Sequence, residues 1–199
     1  MKKYELTDET IRLDEGTVLH RIRAARDFTL ADGTPVRKGD LGGWIERESN
    51  LSHLGGAWVY GEAKVCGKAW VYDEASVCGK AWVYDEASVY GSARVCGSAE
   101  VYGSARVCGS AEVYGSARVC GSAEVASSED YAVFKNTWSS FRWFTYTRSN
   151  RMWRVGCFHG TGEELIAKAY KDSELSGRCY EAIVRAQEAI DAAKEGGEE

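Results

Sequence analysis

The 199-residue chain has a single proline and three histidines, and it has no apolar run long enough for a membrane span. Such a span needs roughly 18 apolar residues, so no membrane association is predicted. With 44% apolar residues, the composition excludes collagen-like and disordered chains. The net charge of −5 argues against a surface that binds nucleic acid all over. Lys2 and Lys3 precede no apolar segment of the kind found in secretory leaders, and we therefore expect a cytoplasmic protein.

A repeat of six residues fills the middle of the chain. Residues 57–128 form twelve consecutive hexads with Ala at position one, Val at position three and, in all but the last, Gly or Asp at position five. On a strand, positions one and three share a face, and Gly or Asp favours a bend. Each hexad is therefore predicted to be one short strand plus one corner. Such strands bury their apolar face only by winding into stacked coils, which predicts a parallel β-helix.

The outward side chains provide a test of a three-sided coil. If three hexads make one turn, stacked neighbours are 18 residues apart, and each outward Arg comes to lie beside a Glu. A four-sided coil would stack Arg on Arg. The predicted pairs are Arg94 with Glu112, Glu100 with Arg118, and Arg106 with Glu124. The same register stacks two tyrosine pairs, Tyr72 with Tyr90 and Tyr84 with Tyr102.

The cysteines follow the repeat, since five of the seven occupy fixed hexad positions. An odd number at repeat positions does not resemble a disulfide framework, which favours a reducing compartment. The three-sided register makes Cys78 and Cys96 neighbours, and they are predicted to be reduced thiols. No metal site and no cofactor are predicted, because zinc would require clustered Cys or His ligands.

Three outward tryptophans, Trp58, Trp70 and Trp82, form an apolar band on the early hexads. We expect the flanking segments of the chain to cover this band, and a second subunit or a foreign partner is the alternative. Residues 1–50 are predicted to form an N-terminal cap of short strands and hairpins, and residues 51–130 the β-helix. Residues 51–56 are predicted to be a degenerate entry hexad, with Leu51 at the Ala position and His53 at the Val position.

Residues 131–199 are predicted to form a C-terminal cap with a β-hairpin and two α-helices. The hairpin turns at Arg148–Asn150, and between Tyr131 and Gly162 there are five cations and no Asp or Glu. Cations interleaved with aromatic rings suit an acidic protein surface or single-stranded nucleic acid. A structural hairpin whose rings cap the coil is the alternative. The predicted partner-binding residues are Arg142, Trp143, Tyr146, Arg148, Arg151, Trp153 and Arg154.

Helix signals follow this hairpin. Thr161 begins a capping box, and Ser173 can cap a second helix. The second helix carries one predicted apolar stripe, made of Leu175, Cys179, Ile183, Ala186 and Ile190. This stripe could pack on the coil or pair with its copy in another subunit. The tail, residues 195–199, is predicted to fray.

The hexads, here V-Y-G-x-A-x and V-C-G-x-A-x, resemble the hexapeptide repeat of left-handed β-helices. That resemblance implies a left-handed coil of triangular section and, for twelve hexads, about four coils. Many such proteins are acyltransferases with a catalytic His, whereas residues 57–128 contain none. We therefore expect a protein that is not an enzyme. An acyltransferase with a site near His53 or His159 is the alternative.

Sequence segments outside the hexads carry a second resemblance. They are KYELTDET, GDLGGWIE and TWSSFRWFTYTRSNRMWRVGCFHGTGEELIAKAYKDS. Together with the hexads they resemble a group of phage and prophage hexapeptide-repeat proteins. The resemblance implies a viral protein in the cytoplasm of a bacterial host that occupies the surface of a host protein or complex, for example as an inhibitor of a defence complex such as CRISPR. A self-assembling structural protein, and thus a homo-oligomer, is a further alternative.

Overall fold

Each hexad forms one two-residue strand at its second and third positions, and in all but the last hexad a turn follows at the fifth and sixth positions. This is seen in a computed structural model, which describes residues 2–196. The twelve hexad strands, numbered here after five N-terminal strands, are β6 (Trp58–Val59), β7 (Lys64–Val65), β8 (Trp70–Val71), β9 (Ser76–Val77), β10 (Trp82–Val83), β11 (Ser88–Val89), β12 (Arg94–Val95), β13 (Glu100–Val101), β14 (Arg106–Val107), β15 (Glu112–Val113), β16 (Arg118–Val119) and β17 (Glu124–Val125).

The hexad strands stack in parallel with the predicted 18-residue register. Trp82 pairs with Glu100, and Val83 pairs with Val101. Three stacks result, β7-β10-β13-β16, β8-β11-β14-β17 and β6-β9-β12-β15, so the chain forms a three-sided β-solenoid. The Ala and Val of every hexad are fully buried along its axis. Each buried Val contributes roughly 1.5–3 kcal/mol of hydrophobic stabilisation.

The corners explain why position five is Gly or Asp. Gly97 has a φ of 75°, and a Cβ there would lie 3.0 Å from the amide nitrogen of Gly115 in the next coil. Residues with a side chain rarely adopt this backbone conformation, and here the corner of the next coil leaves no room for a Cβ atom. Asp85 tolerates a φ of 57° at the same position, and its Oδ2 accepts a hydrogen bond from Gly103 N at 3.1 Å.

The solenoid begins earlier than the hexads do. The N-terminal strands are β1 (Tyr4–Arg12), β2 (Val18–Ala24), β3 (Phe28–Thr29), β4 (Pro35–Val36) and β5 (Leu41–Ile45). Strands β1, β2 and β5 are antiparallel, but β5 also pairs in parallel with β7, placing Trp44 opposite Lys64. The solenoid therefore has about five turns of stacked strands, and the prediction of about four was wrong.

The first turn is longer than the others. Leu51 forms a parallel bridge with Val71, 20 residues away, so Leu51 occupies a Val position. The prediction that placed Leu51 at an Ala position and His53 at a Val position was wrong. His53 instead lies in a widened corner, where its ring stacks on Tyr4 with centroids 4.3 Å apart.

Buried polar side chains close the open end of this first turn. Asn50 Nδ2 donates to Ala69 O at 2.8 Å and to Gly67 O at 3.2 Å. Lys3 is buried, and its Nζ donates to Ala57 O at 2.6 Å. Burial lowers the pKa of the Lys3 ammonium to about 8. These side chains satisfy carbonyl groups at the end of the solenoid, which protects an otherwise open sheet edge.

The tryptophan band is covered in part. Trp58 is buried, with its ring 5.2 Å from Phe28 and 6.3 Å from Tyr4. Trp82 is half-buried beside the N-terminal cluster that contains Leu19 and Trp44. N-terminal residues therefore cover Trp58 and part of Trp82, as expected. Trp70 is 45% exposed.

The outward ladders follow the predicted pairs. Arg118 Nη2 lies 2.9 Å from Glu100 Oε1, and Arg94 forms a further ion pair with Asp32 of the N-terminal segment. The rings of Tyr84 and Tyr102 stack with centroids 4.8 Å apart. The rings of Tyr72 and Tyr90 stack at 4.9 Å. Both distances between ring centroids match the spacing of neighbouring strands, roughly 4.8 Å.

Cys78 and Cys96 form a disulfide, so the prediction of two reduced thiols was wrong. Because the parallel register stacks their two strands directly, their Cα atoms are only 4.6 Å apart. The bond links consecutive coils across a sequence separation of 18 residues. The other cysteines of the hexads, Cys66, Cys108 and Cys120, are buried and lie outside this disulfide.

Reduction of this disulfide is expected to lower the free energy of unfolding by about 3 kcal/mol, because the closed loop restricts the unfolded chain. Urea unfolding with and without a reductant would measure the change. A Cys78→Ser and Cys96→Ser double variant should unfold at the midpoint of the reduced protein and should not respond to reductant. Equal midpoints for the oxidised and reduced wild type would contradict this prediction.

The chain divides after Asp130 into two units, called here the solenoid unit and the C-terminal unit. The C-terminal unit has an antiparallel sheet in the order β18 (Tyr131–Lys135), β19 (Trp143–Thr147), β20 (Met152–Val155) and β21 (Phe158–Gly160). The predicted hairpin, β19 with β20, is therefore confirmed within a larger sheet. Two helices follow, α1 (Gly162–Asp172) and α2 (Glu174–Glu195), with Thr161 and Ser173 as their predicted N-caps.

Helix α2 packs through a stripe that was not predicted. Its buried residues are Gly177, Val184, Gln187 and Asp191. The predicted stripe lies largely on the other side, where the side chains of Leu175 and Ile190 are 59% and 47% exposed. The end of the predicted frayed tail, residues 197–199, lies outside the described residues. Within residues 2–196, no helix combines the length and apolar character that crossing a membrane requires.

Candidate interaction surface

A hydrogen-bond network around Asp191 ties sheet and helix together in the C-terminal unit. Tyr146 is 5% exposed, and its hydroxyl donates to Asp191 Oδ2 at 2.5 Å. Arg148 Nη2 and Gln187 Nε2 donate to Asp191 Oδ1 at 3.2 and 3.0 Å. Burial and the Asp191 carboxylate raise the pKa of Tyr146 well above its usual range. Tyr146 and Arg148 are thus bound within the unit.

Trp153 belongs to the core of the same unit. It is 2% exposed, and its ring centroid lies 5.0 Å from that of Tyr146 and 5.9 Å from that of Phe134. A buried ring does not reach a partner, so the assignment of Tyr146 and Trp153 as surface anchors was wrong. Both face the side of the sheet that is packed with Leu165 and Val184 of the helices.

Two further predicted residues form local contacts on the surface. Arg151 Nη2 donates to Glu195 Oε1 at 2.6 Å, and both side chains are exposed. Arg154 Nη1 donates to the carbonyl of Cys157 at 3.3 Å. An exposed ion pair is worth little and exchanges readily, so Arg151 remains accessible to a partner.

A buried asparagine organises the loop between β18 and β19. Asn136 Oδ1 accepts hydrogen bonds from Ser139 N at 2.9 Å and from Trp138 N at 3.1 Å. Its Nδ2 donates to Ser139 Oγ at 2.9 Å, and its backbone N donates to Arg142 O, also at 2.9 Å. One fully buried side chain therefore holds the loop from inside.

This loop presents Phe141 to solvent in a strained conformation. The Phe141 side chain is 65% exposed, and its φ is 53°. The left-handed region costs a residue with a Cβ roughly 1–2 kcal/mol. Backbone strain of this kind often marks functional sites. The loop thus holds a large apolar ring outward at an energetic cost.

Phe141 lies next to cationic and aromatic side chains. Trp143 is 42% exposed, and Lys135, opposite it in the sheet, places its Nζ 5.2 Å from the centroid of the Trp143 ring system. Arg142 is also exposed. We call Lys135, Phe141, Arg142 and Trp143 the aromatic-basic patch. Two of its members, Arg142 and Trp143, were predicted site residues, whereas Lys135 and Phe141 were missed.

Replacing Phe141 with Asn is expected to raise the free energy of unfolding by about 0.5–1 kcal/mol, because Asn tolerates positive φ and little contact area is lost. Chemical unfolding of the C-terminal unit would measure the gain. Phe141→Ala is the matched control, because it removes the same ring at the same position but alanine does not favour positive φ, and it should give no comparable gain. Destabilisation by Phe141→Asn would show that the ring has a packing role.

The two histidines considered as catalytic bases, His53 and His159, are each in contact with cationic residues or backbone of their own unit. His53 Nδ1 accepts a hydrogen bond from Lys3 N at 3.3 Å, and burial lowers the pKa of its imidazole. His159 lies on β21 opposite Arg154, and burial followed by the Arg154 charge lowers its pKa. Among the described residues, no group of three or more His, Cys, Asp or Glu side chains is arranged to hold a metal ion.

No protein-family model and no curated protein sequence matches the chain. The basis for a functional proposal is therefore the geometry of the two units.

Proposed function

We propose that this chain is a non-catalytic binding protein that uses the aromatic-basic patch to occupy the surface of a macromolecular partner. The observation that carries the proposal is Phe141, an exposed ring at positive φ on a loop held by the buried Asn136. A preorganised loop loses little conformational entropy on binding, and this increases its affinity for a partner.

The patch fits an acidic protein surface. Residues 131–162 contain five cations and no Asp or Glu, although the whole chain is acidic. Aromatic and Arg side chains are the ones most often found at energetic hot spots of protein interfaces. Trp143 is partly occupied by Lys135, so the patch offers a ring with a cation beside it rather than a row of free stacking platforms. We therefore favour a protein partner over single-stranded nucleic acid.

The sequence resemblances support a narrower form of this proposal. They favour a left-handed solenoid and a phage protein that acts in the cytoplasm of a bacterial host. The partner would then be a host protein or complex, for example a defence complex such as CRISPR, which the bound chain would inhibit. A crystal structure of the full chain would show whether the solenoid is left-handed.

The partner class is tested by capture from a bacterial host lysate on the tagged full-length chain, with and without nuclease, followed by mass spectrometry. The proposal expects a stoichiometric protein that survives nuclease treatment. Loss of all captured material on nuclease treatment would contradict it and would assign the patch to nucleic acid. Recovery of the chain alone would favour the self-assembling alternative.

A further inference from the structure

Helix α2 has an apolar face opposite the stripe that packs on its own unit. Leu175 and Ala193 mark the ends of this face, and its residues follow one another at intervals of three or four positions. Leu175 on this face and Ile190 on its flank are large apolar side chains that are exposed. We call the following six residues the α2 seam: Leu175, Cys179, Ala182, Ala186, Ala189 and Ala193. An uncharged face along a helix of roughly 33 Å is unusual for a surface in contact with water.

The two flanks of the seam differ in character. One flank carries Ile190, which is exposed, and Ile183, which is partly buried against the core of its own unit. The other flank carries Arg178 and Arg185. Further round the helix from the seam lies a row of glutamates at positions 174, 181, 188 and 195. Arg178 forms an ion pair with Glu174 within the helix, with a separation of 2.9 Å between Nε and Oε1. Both partners of this pair are largely exposed, so the pair can exchange for another at little cost.

We propose that two copies of the chain associate through the α2 seam, with the two helices antiparallel. This proposal is independent of the function proposed for the aromatic-basic patch. One register matches the whole seam in three layers: Leu175 with Ala193 of the second copy, Cys179 with Ala189 of the second copy, and Ala182 with Ala186 of the second copy. The alanines let the two helices approach closely.

The flanks select the antiparallel direction. In an antiparallel pair, each flank meets the same flank of the second copy, so the two isoleucine flanks adjoin each other. On the opposite flank, Arg178 lies between Glu188 and Glu195 of the second copy, which gives complementary charges. A parallel pair would place the isoleucine flank against the arginine flank. The contact is small for a protein interface, so the dimer should form in the micromolar concentration range.

Sedimentation equilibrium of the full chain at increasing concentrations tests the association. The wild type is expected to shift from monomer to dimer, and Ala186→Glu should weaken association at least tenfold because it places a charge in the seam of each copy. Ala167→Glu introduces the same change at an exposed position of α1 and should leave association unchanged. A monomeric wild type up to several hundred micromolar, or equal effects of the two variants, would overturn the proposal.

Cysteine cross-linking tests the direction of the helices. The background is Cys157→Ser, which removes the exposed free thiol. Adding Ala189→Cys should produce an oxidised dimer that joins position 179 of one copy to position 189 of the other, as peptide mapping would show. The background alone should cross-link poorly. Efficient cross-linking between the two copies of Cys179 in that background would indicate parallel helices and overturn the antiparallel arrangement.

Discussion

Replacing Asn50 with leucine is expected to lower the free energy of unfolding of the solenoid unit by about 3 kcal/mol. Leucine keeps the branched shape, although its methyl groups are bulkier, and it removes all the polar contacts of this buried side chain. The carbonyls of Gly67 and Ala69 lose their donor, and Arg47 N loses Asn50 Oδ1, now at 2.9 Å. Each buried polar group left without a partner costs about 1–3 kcal/mol. We expect the cost of each of these three groups to lie at the lower end of that range, because water reaches them in part.

Urea unfolding followed by circular dichroism would measure this loss. Ser49→Leu is the matched control, because it introduces the same side chain at the exposed neighbouring position and should change stability by less than about 0.5 kcal/mol. An Asn50→Leu variant as stable as this control would contradict the role of Asn50 in closing the first turn.

Replacing Asp191 with alanine is expected to lower the free energy of unfolding of the C-terminal unit by about 3 kcal/mol. The Asp191 carboxylate accepts hydrogen bonds from Tyr146, Arg148 and Gln187, and its loss leaves a buried hydroxyl and a half-buried guanidinium without their acceptor. Removing one partner of a buried charge pair is strongly destabilising. Tyr146→Phe removes only one of these bonds and should cost about 1 kcal/mol.

Thermal and urea unfolding of these variants would test the network. Glu195→Ala is the control, since it removes the exposed partner of Arg151 and should have a much smaller effect. The raised pKa of Tyr146 also means that the wild type loses stability as the pH rises above 10.0, because the unfolded chain ionises there first. Tyr146→Phe should show a shallower loss. Equal stability of Asp191→Ala and Glu195→Ala would contradict the account.

The sequence predicted the stacking of the solenoid in detail because the hexad period is uniform. A constant period sets every register, and the pairs of Tyr72 with Tyr90 and of Glu100 with Arg118 follow from it. The start of the solenoid was missed because the first turn has 20 residues and lacks the Ala and Val of the repeat. In the first turn, the Asn50 side chain donates a hydrogen bond to Ala69 O, whereas in other coils a backbone amide donates to the corresponding carbonyl. A pattern of hydrophobic residues cannot reveal such a side-chain hydrogen bond.

The C-terminal site was predicted only in part. Composition identified the basic and aromatic segment, but it did not show which face of β19 the helices cover, and Tyr146 was therefore placed on the surface. The predicted apolar stripe of α2 was wrong for a related reason. The helix buries the polar residues Gln187 and Asp191, which form hydrogen bonds within the unit, and a search for apolar residues does not find them. The positive φ of Phe141 has no signal in the sequence, since it occurs in a loop that the buried Asn136 holds through hydrogen bonds to neighbouring residues.

The most direct test of the binding proposal is to repeat the lysate capture with variants of the aromatic-basic patch and to quantify the captured protein. Phe141→Asn and Arg142→Glu should each reduce capture at least tenfold. Arg12→Glu, a charge reversal at an exposed position of β1, should leave capture unchanged. Undiminished capture by both patch variants, with folding intact, would show that the chain does not bind its partner through this patch.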